Sequence, residues 1–127
     1  LPIFKWKHPR DGVGGYRFKC GDKRIVFVTD CEHYPGRDDS LVPFIEGCDI
    51  FIHDTMYTEE EYKAKLGWGH STIEHAVAIS KQAGVKTLVC THHEPVHSDD
   101  FLDEMFDKAR KDFPNTIGAR EGLSLEV

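Results

Sequence analysis

The spacing of apolar and polar residues along the chain predicts six β-strands. Three of these segments place apolar side chains at alternate positions, as in a strand with one buried face, and the other three are short continuous apolar runs. The segments span 3–7, 16–20, 24–29, 49–53, 85–90 and 123–127. Residues 21–23, Gly-Asp-Lys, form a turn signal between the second and third segments, so we expect a β-hairpin there.

Helical spacing separates the later strands. Ser71 and Glu74 form a capping-box pattern, which predicts a helix that begins at Thr72. Ser98 is a cap candidate for the last helix, and Pro114 ends it. The predicted helices span 40–46 (with Ser40 as the cap), 58–66, 72–83 and 98–113. This order of elements predicts an α/β domain, a mixed sheet with helices on one face.

Composition narrows the class of protein. A chain of 127 residues fits one domain, residues 1–127, and 39% hydrophobic with 30% charged residues is ordinary for a globular protein. No apolar run is long enough to span a bilayer, so we expect no membrane association. The net charge of −6 argues against a broad nonspecific nucleic-acid surface but leaves room for a small basic site. Four widely spaced cysteines suit buried, reduced thiols and a cytoplasmic location.

Candidate metal ligands stand where predicted strands end. The chain has eight histidines, a high number for its length. His8, Asp30 and His92 each close a predicted strand, and strand ends in a layered sheet can meet at one rim. Imidazoles with a carboxylate are the ligand set of Zn²⁺, Mn²⁺ or Fe, and an aspartate can bridge two ions. The alternatives stay open at this point: His8 could simply end its strand, and Asp30 could form a turn. We expect His75 and His97 to be ordinary hydrogen-bonded or surface histidines.

A second set of candidates precedes the helix predicted at 72–83. His70 lies beside the positive end of that helix, which should disfavour the imidazolium form and suit a residue that moves protons near neutral pH. Asp54 closes the strand at 49–53 and could orient His70 through a hydrogen bond. His70 could instead be only part of the helix cap, and Asp54 only a strand end. Trp68 either walls a substrate site or packs.

Six short motifs occur in order along nearly the whole chain. They lie at 8–9, 14–17, 28–34, 53–55, 69–72 and 91–95. Their sequences are His-Pro, Gly-Gly-Tyr-Arg, Val-Thr-Asp-Cys-Glu-His-Tyr, His-Asp-Thr, Gly-His-Ser-Thr and Thr-His-His-Glu-Pro. Together they resemble the metallo-β-lactamase superfamily, and most closely its branch of ribonuclease Z and phosphoribosyl cyclic phosphodiesterases. This resemblance implies a four-layer αββα sandwich with two divalent metal ions at one edge, Zn²⁺ first, with Mn²⁺ or Fe as alternatives.

The same resemblance assigns roles to the candidate residues. It makes His8, Asp30 and His92 metal ligands, with Asp30 as the bridge. The residues alone leave open whether His92 or His93 is the ligand; the resemblance selects His92, and we expect His93 to support the ligands or the fold. It makes His70 the residue that assists the leaving group when a phosphodiester is cleaved. The implied activity is hydrolysis of a nucleotide-like phosphodiester, such as a small phosphodiester or an RNA 3′ end.

One part of the family pattern is missing. The signature His-x-His-x-Asp-His, which supplies most of the ligands, occurs nowhere in the 127 residues. By resemblance the chain is therefore the C-terminal half of the sandwich, and three ligands are too few for a competent two-metal site. A half sandwich exposes an apolar sheet face, so we expect a homo-oligomer or a partner that carries the missing half. The alternative function is a catalytically silent binding or dimerisation module of the same fold.

Overall fold

A mixed sheet of six strands forms the centre of the computed structural model, which describes residues 3–6, 12–33 and 40–127. The strands lie side by side in chain order. They are β1 (Ile3–Trp6), β2 (Val13–Cys20), β3 (Lys23–Val28), β4 (Ile50–Asp54), β5 (Thr87–Thr91) and β6 (Thr116–Gly118). Antiparallel pairing joins β1 to β2 and β2 to β3, which includes the predicted hairpin, whereas β3 to β6 run parallel. The carboxyl ends of β3, β4 and β5 therefore meet at one edge of the sheet.

Helices cover one face of this sheet. They are α1 (Val42–Ile45), α2 (Glu59–Tyr62), α3 (Ile73–Gln82) and α4 (Asp99–Asp112). The core between helices and sheet contains Val26, Phe51 and Leu88 from adjacent strands, packed against buried residues such as Ala76 and Phe106 from α3 and α4. The prediction of an α/β domain with helices on one face is confirmed.

The opposite face of the sheet is open over the hairpin. Tyr16, Phe18 and Phe27 on β2 and β3 are 40%, 43% and 36% exposed. Nearer β6, the C-terminal residues 125–127 line a cavity of about 260 Å³ together with Ile50 and Ile117. An apolar surface therefore lies open on the side of the sheet away from the helices.

The predicted start of α3 is wrong in detail. The Ser71 hydroxyl donates to the carbonyl oxygen of Cys31, so Ser71 does not cap the helix. Thr72 is the N-cap instead, its hydroxyl accepting from a backbone N–H three residues later. The Glu74 carboxylate does not reach back but accepts from the Glu59 amide at 3.1 Å. Tertiary contacts have taken both partners of the predicted capping box.

Three other predicted boundaries also change. The tail 123–127 forms no strand; β6 lies earlier, at Thr116–Gly118, where three residues are too short for alternation to mark. The first helix is only Val42–Ile45, and no side chain caps it, so Ser40 has no capping role. The helix predicted at 58–66 is shorter, at Glu59–Tyr62, because turns follow it. Over the described residues, none of the helices has the length and apolar character needed to cross a membrane.

Candidate active site

The ends of β3 and β5 place Asp30 and His92 side by side. Asp30 lies two residues beyond β3, and His92 directly follows β5. The His92 Nδ1 atom is 3.6 Å from the Asp30 Oδ2 atom. Both residues have left-handed backbones, with φ of 54° and 60°, which residues other than glycine rarely adopt. Backbone strain of this kind tends to collect at functional sites.

His70 joins this pair from the loop before α3. Its ring centroid is 4.7 Å from that of His92, and its Nδ1 atom is 2.7 Å from the Oδ2 atom of Asp54. Asp54 ends β4 and is fully buried. One possible ligand atom each from Asp30, His70 and His92 lies within 4.8 Å of the other two. Three adjacent strands and one loop thus bring four of the candidate residues to a single edge.

The carboxylate of Asp54 favours the protonated form of His70, whereas the sequence predicts the neutral form. The hydrogen bond to Asp54 raises the pKa of His70 above its usual 6.5, although burial acts in the opposite direction. We had expected the helix dipole to favour the neutral ring. That expectation is wrong because a full charge in hydrogen-bond contact outweighs the partial charge at a helix end. The bond also leaves Nε2 as the ring nitrogen turned away from Asp54.

The donor set suits a divalent metal ion. The Asp30 Oδ2 and His92 Nδ1 atoms are 3.6 Å apart. This is roughly the separation of two ligand atoms that bind the same Zn²⁺ ion at about 2.0–2.2 Å each. Imidazole nitrogen and carboxylate oxygen also suit Mn²⁺ and Fe. His8, the third predicted ligand, lies outside the described residues. His70 stands close enough to serve either as a ligand or as a proton carrier.

Glu32 is a residue of this region to which sequence reasoning gave no role. Its carboxylate is 97% buried and accepts hydrogen bonds from the amides of Gly67 and Gly69, at 2.7 and 2.8 Å. The Tyr62 hydroxyl donates to it at 2.7 Å. These bonds fix the loop that leads into His70. The sequence signal was only the position of Glu32 two residues after Asp30, because its partners are 30 or more residues away.

Three other histidines form a separate cluster inside the fold. His53 is fully buried, and its Nδ1 atom bonds the Val28 carbonyl oxygen at 2.8 Å. The Nε2 atoms of His33 and His53 are 3.0 Å apart, and the rings of His33 and His75 stack at 4.2 Å. Burial lowers the pKa of His53 to about 4 and that of His33 to about 2, so both rings are neutral at pH 7.

His93 and His97 hold the loop after β5 in place. His93 Nε2 donates to the Ala119 carbonyl oxygen at 3.1 Å, and His97 Nε2 lies 2.6 Å from the Glu61 carboxylate.

Trp68, on the loop before α3, does not pack into the core. It is 57% exposed, and the Lys65 ammonium lies 3.9 Å from its ring centroid.

Comparison with known proteins places this chain in a family. A family model described as the beta-lactamase superfamily domain matches residues 4–93, and the chain belongs to that superfamily. It is similar to the ribonuclease Z of Archaeoglobus fulgidus, with 37% identity over 105 residues, and to that of Gemmatimonas aurantiaca, with 36% over 105 residues. Each match covers 83% of this chain but only 33% and 32% of the relative. The chain thus spans about a third of the length of these relatives.

A solved structure shows the same fold. The metallo-beta-lactamase fold protein YhfI from Bacillus subtilis superimposes with a TM-score of 0.77 at 24% identity. The match covers 95% of this chain and 46% of that one. This likeness supports the architecture of helices on one face of a mixed sheet.

Proposed function

We propose that this chain supplies part of the active site of a metal-dependent phosphodiesterase that acts on nucleotide-like phosphodiesters such as RNA 3′ ends. The observation that carries the proposal is the meeting of Asp30, His92 and the His70–Asp54 pair at one sheet edge. The names of the ribonuclease Z relatives support the choice of substrate class.

In this proposal His70 and Asp54 handle a proton. Asp54 accepts the hydrogen bond from Nδ1–H of His70, which fixes the ring and stabilises its protonated form. As a water oxygen bonds to phosphorus and releases its proton to solvent, the bond to the leaving oxygen breaks and Nε2 gives its proton to that oxygen. An alkoxide leaving from phosphorus gains much from a positioned donor, whereas the nitrogen of a β-lactam can be served by solvent. This difference favours a phosphodiester over a β-lactam.

Asp30 and His92, with His8, would hold the metal ions, and Asp30 could bridge two of them. Zn²⁺ is our first choice, with Mn²⁺ or Fe as alternatives. When bound, a pair of such ions would polarise phosphoryl oxygens and lower the pKa of bound water. Around them, this chain would hold Asp30 and His92 in place through their left-handed backbones, and the buried carboxylate of Glu32 would hold the loop that leads into His70.

The proposed site needs ligands beyond this chain. We propose that residues 1–127 are the C-terminal part of the superfamily fold, completed by a further segment or a partner that carries His-x-His-x-Asp-His. The open face bearing Tyr16, Phe18 and Phe27 is the surface such a part, or a second copy of this chain, would cover. A cytoplasmic location belongs to the same proposal, supported by the buried free thiols of Cys31 and Cys48. The chain alone should show little or no turnover.

The test compares two variants of the complete protein on two substrates. His70→Ala should lower kcat by about 10²–10⁴ on a diester with an alkoxide leaving group and leave metal content unchanged. The same variant should lose far less on bis-p-nitrophenyl phosphate, whose leaving group needs no proton. Asp30→Ala should lose metal and activity together. If His70→Ala costs nothing on the alkoxide diester, the proton-donor role is wrong.

The second candidate function, a silent binding or dimerisation module, draws on the open sheet face rather than on the site. It predicts a stable oligomer without bound metal. Metal analysis combined with light scattering on the purified chain separates the two. A sharp monomer with low affinity for a hydrophobic dye would contradict the need for a covering partner.

A further inference from the structure

We propose that Trp68 and Lys65 form a platform on which the base of the substrate nucleotide stacks, next to His70. The proposal rests on the proposed function and deepens it, since it names the part of the substrate that this chain recognises. Trp68 lies two residues before His70 on the same loop. Trp68 is 57% exposed, so its side chain is open to solvent on the loop that carries the proposed proton donor.

The loop presents Trp68 in a fixed position. The amides on either side of it, at Gly67 and Gly69, donate to the buried carboxylate of Glu32. Its own amide donates to the Lys65 carbonyl oxygen at 3.1 Å. Both glycines have left-handed backbones, with φ of 85° and 93°, which turn the chain sharply at each side of the indole. An exposed aromatic held this firmly loses little freedom when a ligand binds.

Lys65 supplies positive charge at the same place. Its ammonium lies 3.9 Å from the Trp68 ring centroid and 6.0 Å from that of Tyr57. The Tyr57 ring in turn meets the His70 ring edge-on at 6.1 Å, so one buried tyrosine ring connects the lysine to the candidate active site. In the part of the chain that the structure describes, no carboxylate lies within ion-pair distance of Lys65. Lys63, two residues earlier, is bound to Glu60 at 2.6 Å.

An aromatic ring with an adjacent ammonium recognises a nucleotide through both of its parts. Bases stack on tryptophan regardless of their identity, and the ammonium neutralises the phosphate. The net charge of −6 disfavours a long nucleic-acid track, so the platform suits one terminal nucleotide. The competing explanation is an apolar contact with a protein, in which the equally exposed Leu66 (56%) would matter as much as Trp68.

Fluorescence of the metal-free chain tests the platform directly. The chain has two tryptophans, so Trp6→Phe leaves Trp68 as the sole reporter. Titration with adenosine monophosphate and with a short oligoadenylate in EDTA should quench its emission in a saturable way. Inorganic phosphate, which has no base, should not. Binding without hydrolysis separates this test from the phosphodiesterase test, because each result can fail while the other stands.

Matched variants separate stacking from a general apolar patch. By calorimetry, Trp68→Leu should weaken oligoadenylate binding about tenfold, while Trp68→Phe keeps most of the affinity. Lys65→Gln should weaken it several-fold and lose part of the salt dependence, whereas Lys63→Gln should have little effect. Leu66→Ala should leave affinity unchanged. Absence of quenching, or equal losses from Leu66→Ala and Trp68→Leu, would overturn the proposal, the second result pointing to a protein contact.

Discussion

Two groups of histidines in this chain have opposite surroundings. His70 and His92 lie at the edge of the sheet, each beside a carboxylate, at 2.7 Å from Asp54 and 3.6 Å from Asp30. His33, His53 and His75 lie deeper, in contact with each other. The pKa of His70 is raised by its carboxylate, and the pKa of His53 is lowered to about 4 by burial. The neighbours of a histidine, rather than its sequence motif, decide what the ring can do.

The two groups are separated by a single step along β4. His53 and Asp54 are adjacent, and successive side chains on a strand point to opposite faces of the sheet. His53 therefore lies in the helix-covered layer beside Phe51, with ring centroids 4.7 Å apart. Asp54 points to the other face and reaches His70. One dipeptide thus contributes to the core and to the candidate site.

Removing His53 should produce the largest effect on stability. His53→Ala deletes a fully buried ring with hydrogen bonds at 2.8 and 3.0 Å, so we expect a loss of about 2–5 kcal/mol in the free energy of unfolding. His70→Ala takes from the buried Asp54 carboxylate its imidazole partner, so it should cost about 1–3 kcal/mol, less than His53→Ala. Urea unfolding of both variants measures the difference. Equal losses would show that the two groups are not distinct in their contribution to the fold.

Acid should destabilise the fold through the buried histidines His33 and His53. The pKa values of His33 and His53 are lowered in the folded state, to about 2 and about 4, so the unfolded chain binds more protons below about pH 6.5. His33 and His53 should therefore lower the stability by about 2–3 kcal/mol as pH drops from 7.5 to 5.5, and the raised pKa of His70 should offset part of that loss, because its folded state binds the proton more tightly. Urea midpoints at the two pH values test this. The lowered pKa of Asp49, about 2, acts only at lower pH and does not interfere.

Removing the charge of Glu32 should have a smaller effect on stability, confined to the loop that leads into His70. Glu32→Gln removes one of the two acceptor oxygens and should cost about 1–3 kcal/mol. Amide hydrogen exchange at Gly67 and Gly69 should become faster, while the strand amides around His53 keep their protection. Exchange that rises equally at both places would mean that Glu32 supports the whole fold and not the loop.

Much of the fold followed from local pattern, and the exceptions have physical causes. The hairpin, the parallel strands and α4 with its Ser98 cap have strong periodicity and were predictable. The start of α3 was not, because Ser71 and Thr72 are equally good caps until the Cys31 carbonyl engages Ser71. The tail 123–127 alternates, yet it gains no strand pairing in the described structure.

The candidate site was predictable where strand ends mark it. Asp30, His92 and Asp54 were found that way, and the structure places them at one edge; their chemical roles stay predictions. The hydrogen bonds from Gly67 and Gly69 to Glu32 join residues more than 30 positions apart in the sequence, and no local pattern can predict them. The pKa direction of His70 also depended on such a contact, since Asp54 and His70 are 16 residues apart.

Zinc titration of the chain, followed through the histidine ring resonances, tests the central distinction most directly. Enough zinc to load a weak, incomplete site should shift the ring signals of His92 and His70 and leave those of His33 and His53 in place. Asp30→Ala should abolish the shifts. A response centred on His33 and His53, or one that survives Asp30→Ala, would contradict the assignment of the metal site to the sheet edge.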